Sequence, residues 1–182
     1  MTKDFNILIL GIGNIMFADE GLGVHFCKQI KNNFSFTHKN AKIDFVDGGT
    51  LAMQLSYIIA DYDQMIVIDC IEANDAKPGD VFFFPYDAMS QKISWSGSAH
   101  EIEMLQTLQY MELLGDLPQT HILACVPKRI EKMSFELSDE IIKASKIMEK
   151  TLLNHLNKLG FSFTKIANYT MQELAFDSYK ND

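Results

Sequence analysis

The run Ile7-Leu8-Ile9-Leu10 constrains the fold more than any other stretch. Four apolar residues without alternation describe a strand buried on both faces, which requires a sheet covered on two sides. The run ends on Gly11-Ile12-Gly13-Asn14, where two glycines allow a tight turn and a close approach to whatever sits above it. Asp19 and Glu20 follow, and then a helical pattern begins. A buried strand, a glycine turn and a helix start with two acids at the joint form the usual setting of a site in an open α/β sheet. Ligands there sit beyond the carboxyl ends of the strands.

A dinucleotide turn would need Gly-x-Gly-x-x-Gly, and the third glycine position is Met16. Two acids beside the turn would also repel a pyrophosphate. The acids favour a cation or a peptide at this strand end.

The same grammar repeats along the chain. A first helix is expected from about Glu20 to Asn33, with Leu22, Val24, Cys27 and Ile30 as its apolar stripe. Gly21 and Gly23 weaken its first turn, so the backbone there either approaches something closely or packs tightly on the sheet. Ala41 to Val46 reads as a second strand, ending in the turn Asp47-Gly48-Gly49-Thr50, with Thr50 placed to cap a helix over Leu51 to Ala60. Met65 to Asp69 is a third strand, continuously apolar and ending on an acid. Gly79 to Phe84 reads as an antiparallel hairpin partner or edge, and His121 to Val126 as a last strand stopped by Pro127.

Ser98-Ala99-His100-Glu101 has the form of a capping box and places His100 in the first turn of a helix with Ile102, Leu105, Leu108 and Leu113 as apolar positions. A longer helix from about Ser138 to Leu159 turns Ile141, Met148, Leu152, His155 and Leu159 to one side, and Gly160 stops it. Strands alternating with helices imply a three-layer α/β/α sandwich around a mainly parallel twisted sheet of about five strands. Residues 1–160 make one domain, and the tail 161–182 has no pattern that decides its order.

Composition narrows the function. The net charge of −8 argues against a non-specific nucleic-acid binder. No apolar run approaches the roughly 18 residues a bilayer span needs. The first residues lead straight into a strand, so no signal peptide is expected. Cys27, Cys70 and Cys125 are far apart and odd in number, and read as reduced core thiols of a cytoplasmic protein.

Three polar residues stand where the sheet model converges. Glu20 follows the first strand, Asp69 ends the third and His100 opens a helix. The first and third strands commonly lie side by side at the switch point, so two carboxylates and an imidazole would face one crevice. Such ligands suit zinc, nickel or iron and leave coordination positions open. Plain structural readings compete: Glu20 as a complement to the helix dipole, Asp69 as a loop cap, His100 as a surface residue. No serine sits in a Gly-x-Ser-x-Gly elbow, and a thiol beside a carboxylate, as in Asp69-Cys70, is a poor nucleophile.

Taken in order, Gly11-Ile12-Gly13-Asn14, Asp19-Glu20-Gly21 with Gly23, Asp47-Gly48-Gly49-Thr50, Asp69 and Ser98-Ala99-His100-Glu101 resemble the nickel-iron hydrogenase maturation endopeptidases. The resemblance runs from Asn6 to about Pro127 and leaves the tail unmatched. It implies that Glu20, Asp69 and His100 coordinate nickel and carry the reaction; Glu20, in a loop after the first strand, is expected to be an exposed ligand. It implies that Asp47, Gly48, Gly49 and Thr50 contact substrate.

The activity implied is one cut, of the aspartic-type endopeptidase class, that removes the C-terminal extension of the hydrogenase large subunit after nickel insertion. Nickel then belongs to the substrate and serves as the recognition signal, although other divalent cations can occupy the site. The partner implied is the large-subunit precursor, and the enzyme is expected to be a cytoplasmic monomer. A non-catalytic nickel-binding chaperone and a small-molecule-binding α/β module are the alternatives.

Overall fold

The computed structural model describes residues 5–88, 93–94 and 99–180. Strand β1 (Phe5–Ile12) leads through a 3-10 turn (Ala18–Gly21) into helix α1 (Leu22–Asn33), followed by β2 (Phe34–Thr37) and β3 (Ala41–Gly49). A 3-10 turn (Ala52–Leu55) and a single helical turn, α2 (Ser56–Ile59), lead to β4 (Gln64–Cys70), the short β5 (Glu72–Ala73) and β6 (Val81–Pro85). The short β7 (Ile93–Ser94), α3 (Ala99–Leu114), β8 (Gln119–Cys125), α4 (Asp139–Lys158), β9 (Ser162–Lys165) and α5 (Met171–Lys180) complete the order.

Five strands form the main sheet in the order β3-β1-β4-β8-β6. The first four are mutually parallel, and β6 runs antiparallel to β8 at the edge. β1 and β4 are therefore adjacent and central, as their apolar runs require. The edge placement of β6 matches expectation, but its partner is the later β8, so it makes no hairpin with β4.

Alternation along the strands feeds two cores. Ile7, Ile9, Ile66, Ile68 and Cys70 pack with α1, α4 and α5 on one face. Leu8, Leu10, Met65 and Val67 pack with Ile59 of α2 and with Met104, Leu108 and Met111 of α3 on the other. These are the three layers expected.

Several local expectations change. The stripe of α3 is Met104, Thr107, Leu108 and Met111, all buried, whereas Ile102 and Leu113 are exposed. Apolar residues lie all round this helix, so their period did not single out a face. Thr50 does not cap the next helix; the position before the 3-10 turn is Leu51, and it makes no side-chain cap. The capping box expected at Ser98 lies outside the described residues. Ser138 does cap α4, its Oγ accepting from the Ile141 N–H at 3.4 Å.

The tail is packed. β9 pairs antiparallel with β2, and Phe161, Met171, Leu174 and Ala175 are buried. Asn33 ties the connection down, its Nδ2 donating to the Tyr169 carbonyl at 2.8 Å and its Oδ1 accepting from the Tyr169 N–H at 2.8 Å.

Helix α1 sits very close to the sheet because Gly23 has no side chain. A Cβ there would overlap the carbonyl oxygens of Ile12 and Ile68, both backbone of the central strands. Neither strand can retreat without unpairing its neighbours. Gly23→Ala is expected to cost about 3 kcal/mol, the upper end of ordinary overpacking, measured by urea unfolding. A loss under ~0.5 kcal/mol would show that α1 can slide.

Burial lowers the pKa of three histidines, one of them, His25, fully buried. His155 of α4 lies 4.7 Å from His121 of β8, centroid to centroid, and 4.9 Å from Phe83 of β6. Burial, then His121 and Lys158, lowers His155 to about 4, and burial lowers His121. Burial, with Lys28 adding, lowers His25 of α1 to about 4. The unfolded chain takes up protons on His25 and His155 below pH ~6.5, and the folded chain does so only near 4. Stability is therefore full above that pH and is lost as pH falls toward 4. His25 alone accounts for about 3 kcal/mol over that window at 1.36 kcal/mol per pH unit. Unfolding free energies that stay level between pH 7 and 4.5 would contradict this.

Candidate active site

The site is built where β1 and β4 end side by side. β1 pairs with β4 through Gly11 opposite Ile68, so Asp69 comes one step beyond the last pair. Asp69 is fully buried, and its Oδ1 accepts the Cys70 N–H at 2.7 Å. Along β4 it follows Met65 and Val67 in the alternation, which places it on the face covered by α3. His100 belongs to the first turn of α3, and its side chain lies outside the described residues.

Glu20 occupies the 3-10 turn after β1 and is only 4% exposed. The expectation of a solvent-exposed ligand is thus corrected: the turn folds under the loop that follows β8. The two strand ends touch through neighbours of the candidate ligands, Cys70 Sγ donating to the Asp19 carbonyl at 3.1 Å. Among the described residues no three His, Cys, Asp or Glu side chains form a metal site; the expected triad includes His100.

Asp19, the acid next to Glu20 to which the sequence gives no role, has a separate task. Its carboxylate is fully buried and accepts from the backbone N–H groups of Lys128 (3.0 Å), Arg129 (2.9 Å) and Ser138 (2.7 Å), and from Ser138 Oγ (2.8 Å). It pins the loop after β8 and the start of α4 to the end of β1. No local pattern signals this role, because its partners are more than a hundred residues away.

The glycine turn serves the protein itself. A Cβ on Gly13, at φ +143°, would overlap the Glu20 carbonyl. The space above the turn is therefore filled by the next segment and leaves no cradle for a pyrophosphate. Of the Asp-Gly-Gly-Thr stretch, Asp47 to Gly49 prolongs β3 instead of turning away. The register slips between Gly11 and Ile12, opposite Asp47 and Gly49, and Gly13 N–H donates to the Gly49 carbonyl at 2.9 Å. This irregularity brings the stretch beside the strand ends, as bulges near active sites often do. Asp47 is exposed, with Oδ1 accepting the Gly49 N–H at 2.9 Å.

Beyond the carboxyl ends of β4 and β8 lies an open groove of 610 Å³ lined by Glu72, Asn74, Val126, Lys128 and Ile130 among others. It is on the side of the sheet where an α/β protein binds its ligands.

A model of the HycI hydrogenase maturation protease family matches residues 24–155. This chain belongs to the hydrogenase maturation protease family. The protease is 45% identical over 158 residues to protein HydD of Wolinella succinogenes, covering 86% of this chain and 99% of that one. It is 25% identical over 126 residues to the hydrogenase 2 maturation protease of Escherichia coli, covering 69% and 75%. The fold is that of the E. coli hydrogenase maturating endopeptidase HybD, with a TM-score of 0.76 at 22% identity over 88% of this chain and 97% of the other. The protease is thus a peptidase of hydrogenase maturation. Among its described residues no helix is long and apolar enough to cross a membrane.

Proposed function

We propose that this protease removes the C-terminal extension of a nickel-iron hydrogenase large subunit after nickel insertion, and that it recognises the nickel held by that substrate. The observation supporting this reading is the placement of Glu20 in the turn after β1 and of Asp69 at the end of the adjacent β4, with the helix whose first turn holds His100 on the face of Asp69.

Two carboxylates and an imidazole leave open positions on a cation that the substrate already ligates. Gripping the cation fixes the peptide bond next to it. Positioning of that kind is worth up to roughly 7–11 kcal/mol of a barrier. Water is the nucleophile in this reading, activated by the cation or by one of the carboxylates. The groove beside Lys128 and Ile130 has room for the extended chain, and Asp47, Gly48, Gly49 and Thr50, at the end of β3 next to β1, are further substrate contacts in this reading. The enzyme works as a cytoplasmic monomer.

The test is incubation with large-subunit precursor prepared with and without nickel, followed by mass spectrometry. A shortened product is expected from the loaded precursor alone. Equal cleavage of the nickel-free precursor would refute nickel recognition, and no cleavage of either would refute the substrate.

A further inference from the structure

His25 lies on α1 shortly after Glu20, and the reaction above makes no use of it. Its side chain is fully buried, and neither Nδ1 nor Nε2 has a hydrogen-bond partner among the described residues. The ring is wedged beneath the turn that carries Glu20. Its Nε2 is 2.9 Å, and its Cδ2 3.1 Å, from the point a Cβ on Gly21 would fill, and Ile15 Cα is 2.9 Å from the same point. The ring edge therefore faces the backbone of Ile15 and Gly21, in space that exists because residue 21 is glycine.

A neutral imidazole carries one donor and one acceptor, and leaving both unmade in a core is unfavourable. An apolar side chain of similar size would fill the same space without that penalty. A place where a protein keeps a locally unfavourable group is a place to look for function. The turn above the ring also contains Ala18 at φ +54°, a left-handed conformation uncommon outside glycine and found preferentially in segments under functional constraint.

We propose that His25 is a positioning residue for the Glu20 carboxylate. When Glu20 takes hold of the substrate's cation, the turn from Ile15 to Gly21 settles onto the ring, and one ring nitrogen forms a hydrogen bond with the backbone of that turn. The bond is made in the loaded enzyme and holds Glu20 in its ligating position. The inference rests on the function proposed above.

Two variants, His25→Phe and His25→Leu, test it by processing kinetics on nickel-loaded precursor together with thermal melting. Melting temperatures at or above wild type are expected, because a buried group without partners is replaced by an apolar one. The kcat should fall about tenfold or more, with KM within about twofold, as expected when a ligating group is misplaced by a fraction of an ångström. Wild-type kcat in either folded variant overturns the proposal. A second measurement needs no variant: the ¹⁵N shifts of the His25 ring in the wild-type protein, titrated with Zn²⁺ as a diamagnetic probe. One nitrogen should move to its hydrogen-bonded position as the site fills. Ring shifts unmoved at saturating Zn²⁺ overturn the proposal. Failure of the wild-type enzyme to bind Zn²⁺ or to cut the precursor would instead overturn the reading of the site on which it rests.

Discussion

Asp69→Asn is expected to abolish processing of nickel-loaded precursor while leaving the fold intact. The side chain is fully buried, so a change of shape there would be costly, but asparagine has the same shape and keeps an Oδ1 to accept the Cys70 N–H now held at 2.7 Å. What it removes is the negative charge that binds a divalent cation. Losing a partner that merely supports a metal ligand costs about 10–100-fold, and losing the ligand's own charge should cost more than that. Glu20→Gln should be as severe, since Glu20 is buried and water has no easy route to replace it. His100→Ala should also stop cleavage. Cleavage is followed by mass spectrometry, with circular dichroism and melting on the same samples. Normal cleavage by a folded Asp69→Asn protein would remove Asp69 from the ligand set.

Asp19→Ala should have the largest effect on stability, about 4 kcal/mol or more. Hydrogen bonds to a charged group contribute about 1.5–3 kcal/mol each and are not additive. This carboxylate accepts four of them, at 2.7–3.0 Å, in a fully buried position. Its removal leaves the N–H groups of Lys128, Arg129 and Ser138 without their acceptor and unties the loop from the strand end. Asp19→Asn keeps one acceptor and should fall between. Urea unfolding measures both. Lys128 and Ile130 line the groove beside the site, so processing should weaken even in protein that remains folded. A loss under ~1 kcal/mol would mean that the loop is held by something other than Asp19.

The two acids show where sequence reasoning stops. Asp19 and Glu20 are neighbours and chemically alike; the resemblance to the family picks Glu20 as the ligand and gives Asp19 no task. One is consumed by four hydrogen bonds to a loop and helix start more than a hundred residues away, and the other lies beside it in the same turn after β1, at the candidate site. A difference created by distant partners leaves no trace in local pattern. His25 gives no signal for a different reason: between Val24 and Phe26 it reads as an interruption of an apolar stretch, and only the folded chain shows it buried with neither ring nitrogen bonded among the described residues.

The sequence by itself determined the layers and the central strands. Ile7–Leu10, Met65–Ile68 and Ile122–Cys125 are apolar without alternation, and burial on both faces is the state that satisfies them. It also determined that the third strand stops on an acid, Asp69, and that Asp19 and Glu20 follow the glycine turn after the first. Tertiary structure alone decided the rest. β2 and β9 pair across the length of the chain, so neither strand announces itself. The apolar residues of α3 surround the helix, and the sheet chose Met104, Leu108 and Met111 over Ile102 and Leu113. The depth of Glu20 and the work of Asp19 depend on where the loop after β8 lands. That landing is set by long-range packing and hydrogen bonding, which local propensity does not encode.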